Sequence, residues 1–319
     1  MLDELVSKDV IFEGVKTPFR IHNADHVLDL LPKIVTGWPF DVKEANPSTS
    51  PFFSVTSIQN SHRVRSKTYV QDKPPRELDP INALCDLVAT LPYVLADADD
   101  RLICLHAAGV QFGDRLIVFP NIRRAGKSTL SCALAMAGHA VFSDDVLPTC
   151  FDEKGNAYGQ SMGIAPRLRL PLPETFSTEF KRWVEASPGP KNKPYQYLVV
   201  SGQPTRGRAR RIGGFVVLDR KDEACSARLE PVSPDDAMSA LLYQNFTRDR
   251  HSADILGSVA AVLSAEPCFR LTYFDLQDAV SCLENAFDGG FTGPFEPPSG
   301  RLRHFRMANL DRPVARHLL

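Results

Sequence analysis

No Cys-x-x-Cys pair occurs among the seven cysteines, which stand at positions 85, 104, 132, 150, 225, 268 and 282. Their odd number and irregular spacing argue against a zinc site or a disulfide framework, and reduced thiols in a cytoplasm are the expectation. Charge of one sign is lacking too. Lys and Arg number 37 against 38 Asp and Glu, a net charge of −1, so no global field draws the chain to nucleic acid or to a membrane surface. A long apolar run is also missing: the longest, Leu84 to Ala96, is interrupted by Asp86 and Pro92 and is shorter than the ~20 residues a spanning helix needs. The first residues, Met1-Leu2-Asp3-Glu4-Leu5, are acidic and carry no signal-peptide core. No internal repeat is visible. These absences lead to the expectation of a soluble cytoplasmic protein with no nucleic-acid and no membrane partner. Hydrophobic residues make up 43% of the 319, ample for the core of one large domain or two smaller ones.

What is present centres on residues 115–137. Leu116 to Phe119 is an apolar run of strand length, and Leu130, Ala133, Leu134 and Ala137 recur on one face of a helix. Between them lies Pro120-Asn121-Ile122-Arg123-Arg124-Ala125-Gly126-Lys127-Ser128-Thr129, the strand–loop–helix context of a phosphate-binding loop. The chemistry suits the residue types. Several N–H donors must converge on one anion, which needs a tight turn without Cβ atoms in the way, and Gly126 supplies it. A helix opening near Lys127 aims unpaired N–H groups at the phosphates. Lys127 is the fixed cation, Ser128 the expected Mg²⁺ hydroxyl, and Thr129 lies in the same turn. Nucleotide contacts are therefore expected from Asn121, Arg123, Arg124, Ala125, Gly126, Lys127, Ser128 and Thr129. Asn121 replaces the usual first glycine, and Asn tolerates a left-handed turn. Arg123 and Arg124 replace small residues, either as extra phosphate contacts or as a solvated loop tip.

Downstream, the short strand Ala140 to Phe142 ends in Ser143-Asp144-Asp145, where a Mg²⁺ ligand is expected after such a loop and helix. The two carboxylates point opposite ways if the strand continues, so one can hold metal while the other faces substrate. Arg167 and Arg169 share a strand face and, with Lys193, are candidates for contacting the acceptor or the transferring phosphate.

Residues 1–75 read as a β-rich region, with strands at 52–58 and 62–70 around a turn at Gln59-Asn60-Ser61. The boundary falls at Asp72-Lys73-Pro74-Pro75-Arg76. Residues 76–290 form the candidate catalytic domain. It opens with a helix from Pro80 to Asp97, kinked at Pro92, and a strand from Leu102 to Val110 that contains His106. The basic run Arg206 to Arg211 reads as a solvated hairpin between strands at 195–200 and 212–218. Residues 291–319 form a tail rich in Pro, Gly and Arg.

His106, the loop ending Gly126-Lys127-Ser128, Gly138-His139 and Asp144-Asp145 together resemble the catalytic domain of bacterial HPr kinase/phosphorylase, in order and in interval. Lys127 lies 21 residues after His106, and Asp144 a further 17 on. The match covers residues 100–150 and extends more weakly over 76–290. It implies an α/β fold of the HPr kinase C-terminal and phosphoenolpyruvate carboxykinase-like P-loop type, with a mixed sheet and a β-rich N-terminal region. It also implies roles. Asp144 pairs with His106 as general base on a substrate hydroxyl, and Ser128 and Asp145 address Mg²⁺. ATP and Mg²⁺ are the implied cofactors, and HPr kinase itself is an oligomer, so a homo-oligomer is implied as well. The family's glycine-rich signature after the second aspartate is absent, and Gly163 to Pro171 stands there instead. HPr itself is therefore not the expected acceptor. The expected function is phosphate transfer to a hydroxyl of a peptide, protein or small molecule. The rival is a nucleotide-binding regulatory or scaffold module without catalysis, which the altered loop glycines favour. A nucleotide hydrolase that drives a partner is a third reading, without a recognisable interface.

Overall fold

The computed structural model describes residues 6–59, 61–68, 71–72, 74–120, 125–187, 189–242 and 251–288. The first sheet is built from β1 (Ser7–Phe12), β2 (Phe19–His22), β3 (Phe40–Glu44), β4 (Phe53–Ile58), β5 (Ser61–Thr68), β6 (Gln71–Asp72) and β7 (Arg76–Leu78), with helix α1 (Asp25–Leu30) after β2. β1 pairs antiparallel with β2 and β3, and β2 runs parallel to β4. β4 and β5 form the expected hairpin, with Ile58 opposite Ser61. Alternation sets the buried face: Val10 and Phe12 on β1, and Phe53 and Val55 on β4, are sequestered together with Trp38. On β1 and β2, the buried Arg20 donates to both Asp9 carboxylate oxygens at 2.7 and 2.9 Å, the forked geometry that suits a shielded ion pair. β7 pairs with β5, so the sheet runs past the boundary expected at residue 75.

Helix α2 (Pro80–Ala98) follows. Asp79 caps it by accepting from the N–H groups of Ile81 and Asn82 at 3.0 Å, with Pro80 in the first turn. Leu84, Leu87, Leu91 and Leu95 lie in the core on one side. Cys85, Val88, Ala89 and Pro92 form a second stripe, at helical spacing, along a cavity. Pro92 sits inside the helix without ending it. Apolar on two sides, α2 is long and apolar enough by length and composition to cross a membrane, with a mean hydropathy of 1.3 over a window that is 56% buried within the protein.

The second sheet comprises β8 (Ile103–Leu105), β9 (Ala107–Phe112), β10 (Arg115–Pro120), β11 (Val141–Ser143), β12 (Leu147–Phe151), β13 (Ala157–Gln160), β16 (Ala209–Arg220), β17 (Arg228–Pro231) and β18 (Cys268–Tyr273). The other elements are the two-stranded β14 (Arg167–Arg169) and β15 (Tyr195–Tyr197), with α3 (Lys127–Met136), α4 (Thr178–Ala186), α5 (Pro234–Leu242), α6 (Ser252–Ala265) and α7 (Leu276–Phe287). The order is β11-β9-β10-β16-β13-β12-β8, with β18 beside β16 and β17 beside β18. β10 and β18 each run parallel to β16, whereas β9, β11 and β13 pair antiparallel with their neighbours, so the sheet is mixed. Both faces are buried. Ile117 and Phe119 pack with α3 and α7, while Leu116 and Val118 pack with α5 and α6, as the two-residue period of a strand requires.

The strand expected over Leu102 to Val110 is split at His106, which lies between β8 and β9. The basic run is not a hairpin. β15 pairs with β14, and β16 with β10, β13 and β18. Arg206 lies over the Trp38 ring at 4.8 Å, and its backbone N–H donates to the Gly37 carbonyl at 2.8 Å. The core of the N-terminal sheet also takes in Cys104, Val146, Met162, Ala165 and Tyr197, so it reaches the elements that carry Asp144 and Asp145. The tail expected at 291–319 lies outside the described residues.

Candidate functional site

Strand register brings the sequence-predicted residues together. Pro120 at the end of β10 is opposite Ala107 at the start of β9, and Ser143 at the end of β11 is opposite Gly109. His106, the end of β10 and the Asp144-Asp145 pair therefore lie at one end of the strands. The Ser143 hydroxyl donates to the Ala107 carbonyl at 3.4 Å and accepts from the Asp145 N–H at 3.1 Å. That turn carries Asp145 back toward His106, whose Nε2 lies 3.0 Å from Asp145 Oδ1.

This corrects the expected pairing. His106 meets Asp145, not Asp144. Asp144 turns the other way, and its Oδ2 accepts from the Arg167 backbone N–H at 3.0 Å. The two carboxylates consequently titrate apart. Burial, reinforced by the neighbouring Asp145 charge, pushes Asp144 up to about 6 despite Arg167. Burial alone would raise Asp145 as well, but the His106 hydrogen bond and charge, with Arg167 and Lys127 behind them, bring it down to about 2. Asp145 lines an open cavity with 52% of its side chain accessible, so water tempers that shift without reversing its direction.

Helix α3 begins where the sequence places it. Gly126 is its N-cap at φ +94°, and its carbonyl accepts from the Leu130 N–H at 2.9 Å. The glycine is needed twice. Its dihedral is left-handed, and a Cβ would stand 2.9 Å from the Tyr273 hydroxyl. Lys127 is 7% exposed. Burial lowers its pKa, opposed by the charges of Asp145 and Asp144, so the ammonium is held within electrostatic reach of both carboxylates. Ala125, Ser128 and Thr129 are half-buried. Asn121, Arg123 and Arg124 lie outside the described residues.

Two cavities adjoin these residues. One, of about 630 Å³ with its mouth included, reaches Gly126 and Thr129 and is bordered by Phe176, Arg220, Tyr273 and Gln277. The other, of about 620 Å³, holds Asp144, Asp145 and Arg167, with Cys85 and Tyr197 on its wall. Arg167 lies 4.6 Å from the Tyr195 ring centre. Burial alone would lower its pKa, but the acidic groups of Tyr197, Cys85, Asp145 and Asp144 outweigh that and raise it. Arg169 is exposed and also faces Tyr195, at 5.8 Å, while Lys193 is exposed. Neither borders either cavity. Cys85, Tyr197, Phe176, Arg220 and Tyr273 escaped sequence reasoning because they come from α2, β15 and segments far along the chain, with no motif to mark them.

No protein-family model matches the sequence, and no curated protein matches it. Among solved structures the chain is similar to the HPr(Ser) kinase/phosphatase from Coxiella burnetii, at 11% identity over 57% of this chain and 88% of that one, with a TM-score of 0.27.

Proposed function

We propose that this protein is an ATP- and Mg²⁺-dependent phosphotransferase acting on a hydroxyl. The observation that carries this reading is that two adjacent carboxylates after β11 have different partners, Asp145 the His106 ring and Asp144 the Arg167 N–H. Asp144 is raised to about 6, and Asp145 is held near 2 by His106. Two titratable groups pushed apart by their surroundings make an acid–base pairing of roles.

The residues fit the implied ligands. The Cβ-free Gly126, the N-terminus of α3 and a buried ammonium suit a polyphosphate. Asp145, anionic and accessible, and Ser128 are oxygen donors of the kind Mg²⁺ takes, with phosphate and water completing its shell. When bound, the ion supplies charge neutralisation at the phosphates. Lys127 adds a fixed positive charge beside them. Asp144, ionised above about pH 6, accepts the acceptor's hydroxyl proton. His106 orients Asp145 and keeps it unprotonated.

The test is transfer of γ-labelled phosphate from ATP into size-fractionated cell extract, with Asp144→Asn as control. Label in any fraction above that control supports the reading. Nucleotide binding without transfer favours the regulatory-module alternative.

A further inference from the structure

The cavity beside Asp144 is lined largely by apolar side chains. Val88, Ala89 and Pro92 of α2 line it together with Met162, Ile164 and Ala165, and none of these side chains has a strong hydrogen-bonding atom. Its polar atoms come from Cys85, Ser143, Asp144, Asp145, Arg167 and Tyr197. The Tyr197 hydroxyl donates to Cys85 Sγ at 3.3 Å. Arg167 lies over the Tyr195 ring and shares the lining with Asp144 and Asp145. Asp144 borders the same cavity and is the proton acceptor of the proposed reaction.

From this geometry we infer that the acceptor is a small neutral alcohol on a hydrocarbon body, seated between α2 and the 162–165 segment with its hydroxyl at Asp144. The inference rests on the phosphotransferase reading. A serine in a protein loop would carry backbone N–H and C=O groups against this wall and leave them unpaired, which such groups avoid. A polyol would do the same with its extra hydroxyls. In the reaction, the alcohol oxygen forms a bond to the γ-phosphorus of ATP. The bond from that phosphorus to the bridging oxygen breaks, and its electron pair leaves with ADP. The hydroxyl proton passes to Asp144 and then to water.

Ala89 is exposed to the cavity and not part of the core, so Ala89→Trp fills the space without displacing packed residues. Ile164→Trp plugs it from the 162–165 segment. Geraniol and cinnamyl alcohol are the probes, with glycerol and a serine-containing hexapeptide as comparators. Calorimetric titration of the nucleotide-free protein should show the two apolar alcohols binding, and at least tenfold weaker binding in either plugged variant. The thermal shift with ATP and Mg²⁺ should persist in both variants, which also reports that they fold. Transfer to the apolar alcohols should exceed transfer to the comparators at least 100-fold in kcat/KM. Absence of alcohol binding overturns the inference. So does transfer to the hexapeptide or to glycerol that survives both plugs, and in that case the phosphotransferase reading stands. Alcohol binding lost on plugging, with no transfer to any acceptor, supports the pocket and overturns the phosphotransferase reading.

Discussion

Asp144 joins function to stability through one number. Its carboxyl is raised to about 6 in the folded protein, against ~3.9 in an unfolded chain. A raised carboxylate is most favourable to folding below the unfolded value and becomes unfavourable as pH rises through the folded one. At pH 8 ionised Asp144 therefore destabilises the fold by about 3 kcal/mol. We predict that Asp144→Asn lowers transfer by ~10²–10⁴-fold yet raises stability at pH 8, with the gain vanishing near pH 4. Urea unfolding at the two pH values checks the sign. In the wild type, transfer should rise about tenfold per pH unit below pH 6 and level off above it, as a pH–rate profile would show. His106 acts on the other carboxylate. His106→Ala should raise the Mg²⁺ concentration needed for half-maximal transfer and leave the pH midpoint in place. A moved midpoint with unchanged Mg²⁺ dependence assigns His106 to Asp144. The sequence pointed to both aspartates through their place after a short strand. It did not reveal which one His106 meets, because that follows from Ser143, whose hydroxyl turns the chain by bonding both Ala107 and Asp145.

At the level of elements, the strand–loop–helix unit was legible because each part carries a local signal: the apolar run of β10, the glycine at the turn, the helical periodicity of α3. The close approach of β18 to that turn was not, since Tyr273 lies far along the chain. Gly126 tests the unit. Gly126→Ala places a Cβ against the Tyr273 hydroxyl and puts a non-glycine residue at positive φ, which alone costs about 1–2 kcal/mol. The expected outcome is loss of the thermal shift with ATP and Mg²⁺. Adding Tyr273→Phe removes the clash but not the dihedral strain, so recovery should be partial. Full recovery would assign the effect to the clash alone.

For the whole molecule, composition suggested a two-part chain, and the structure shows where the parts interlock. The Gly37 N–H donates to the Gly163 carbonyl at 2.8 Å, and the Ala165 N–H to the Ile34 carbonyl at 2.7 Å. A Cβ on Gly163 would lie 2.3 Å from the Gly37 carbonyl carbon. Pairings between backbones this distant in sequence leave no local pattern, so a linker-like composition at residues 72–76 marked a boundary that the sheet crosses. The shared core predicts a single calorimetric transition. Trp38→Ala, at 2% exposure, should lower that transition as a unit at a cost of ~3–5 kcal/mol. Two transitions, only one of them displaced, would show that the first sheet unfolds on its own.

The two-sided apolarity of α2 has a consequence during synthesis. While leaving the ribosome, this segment exposes both of its apolar sides and meets, by length and composition alone, the minimum for a spanning helix. The strands that cover its inner side precede it in the chain, so a protein partner is already available when it emerges.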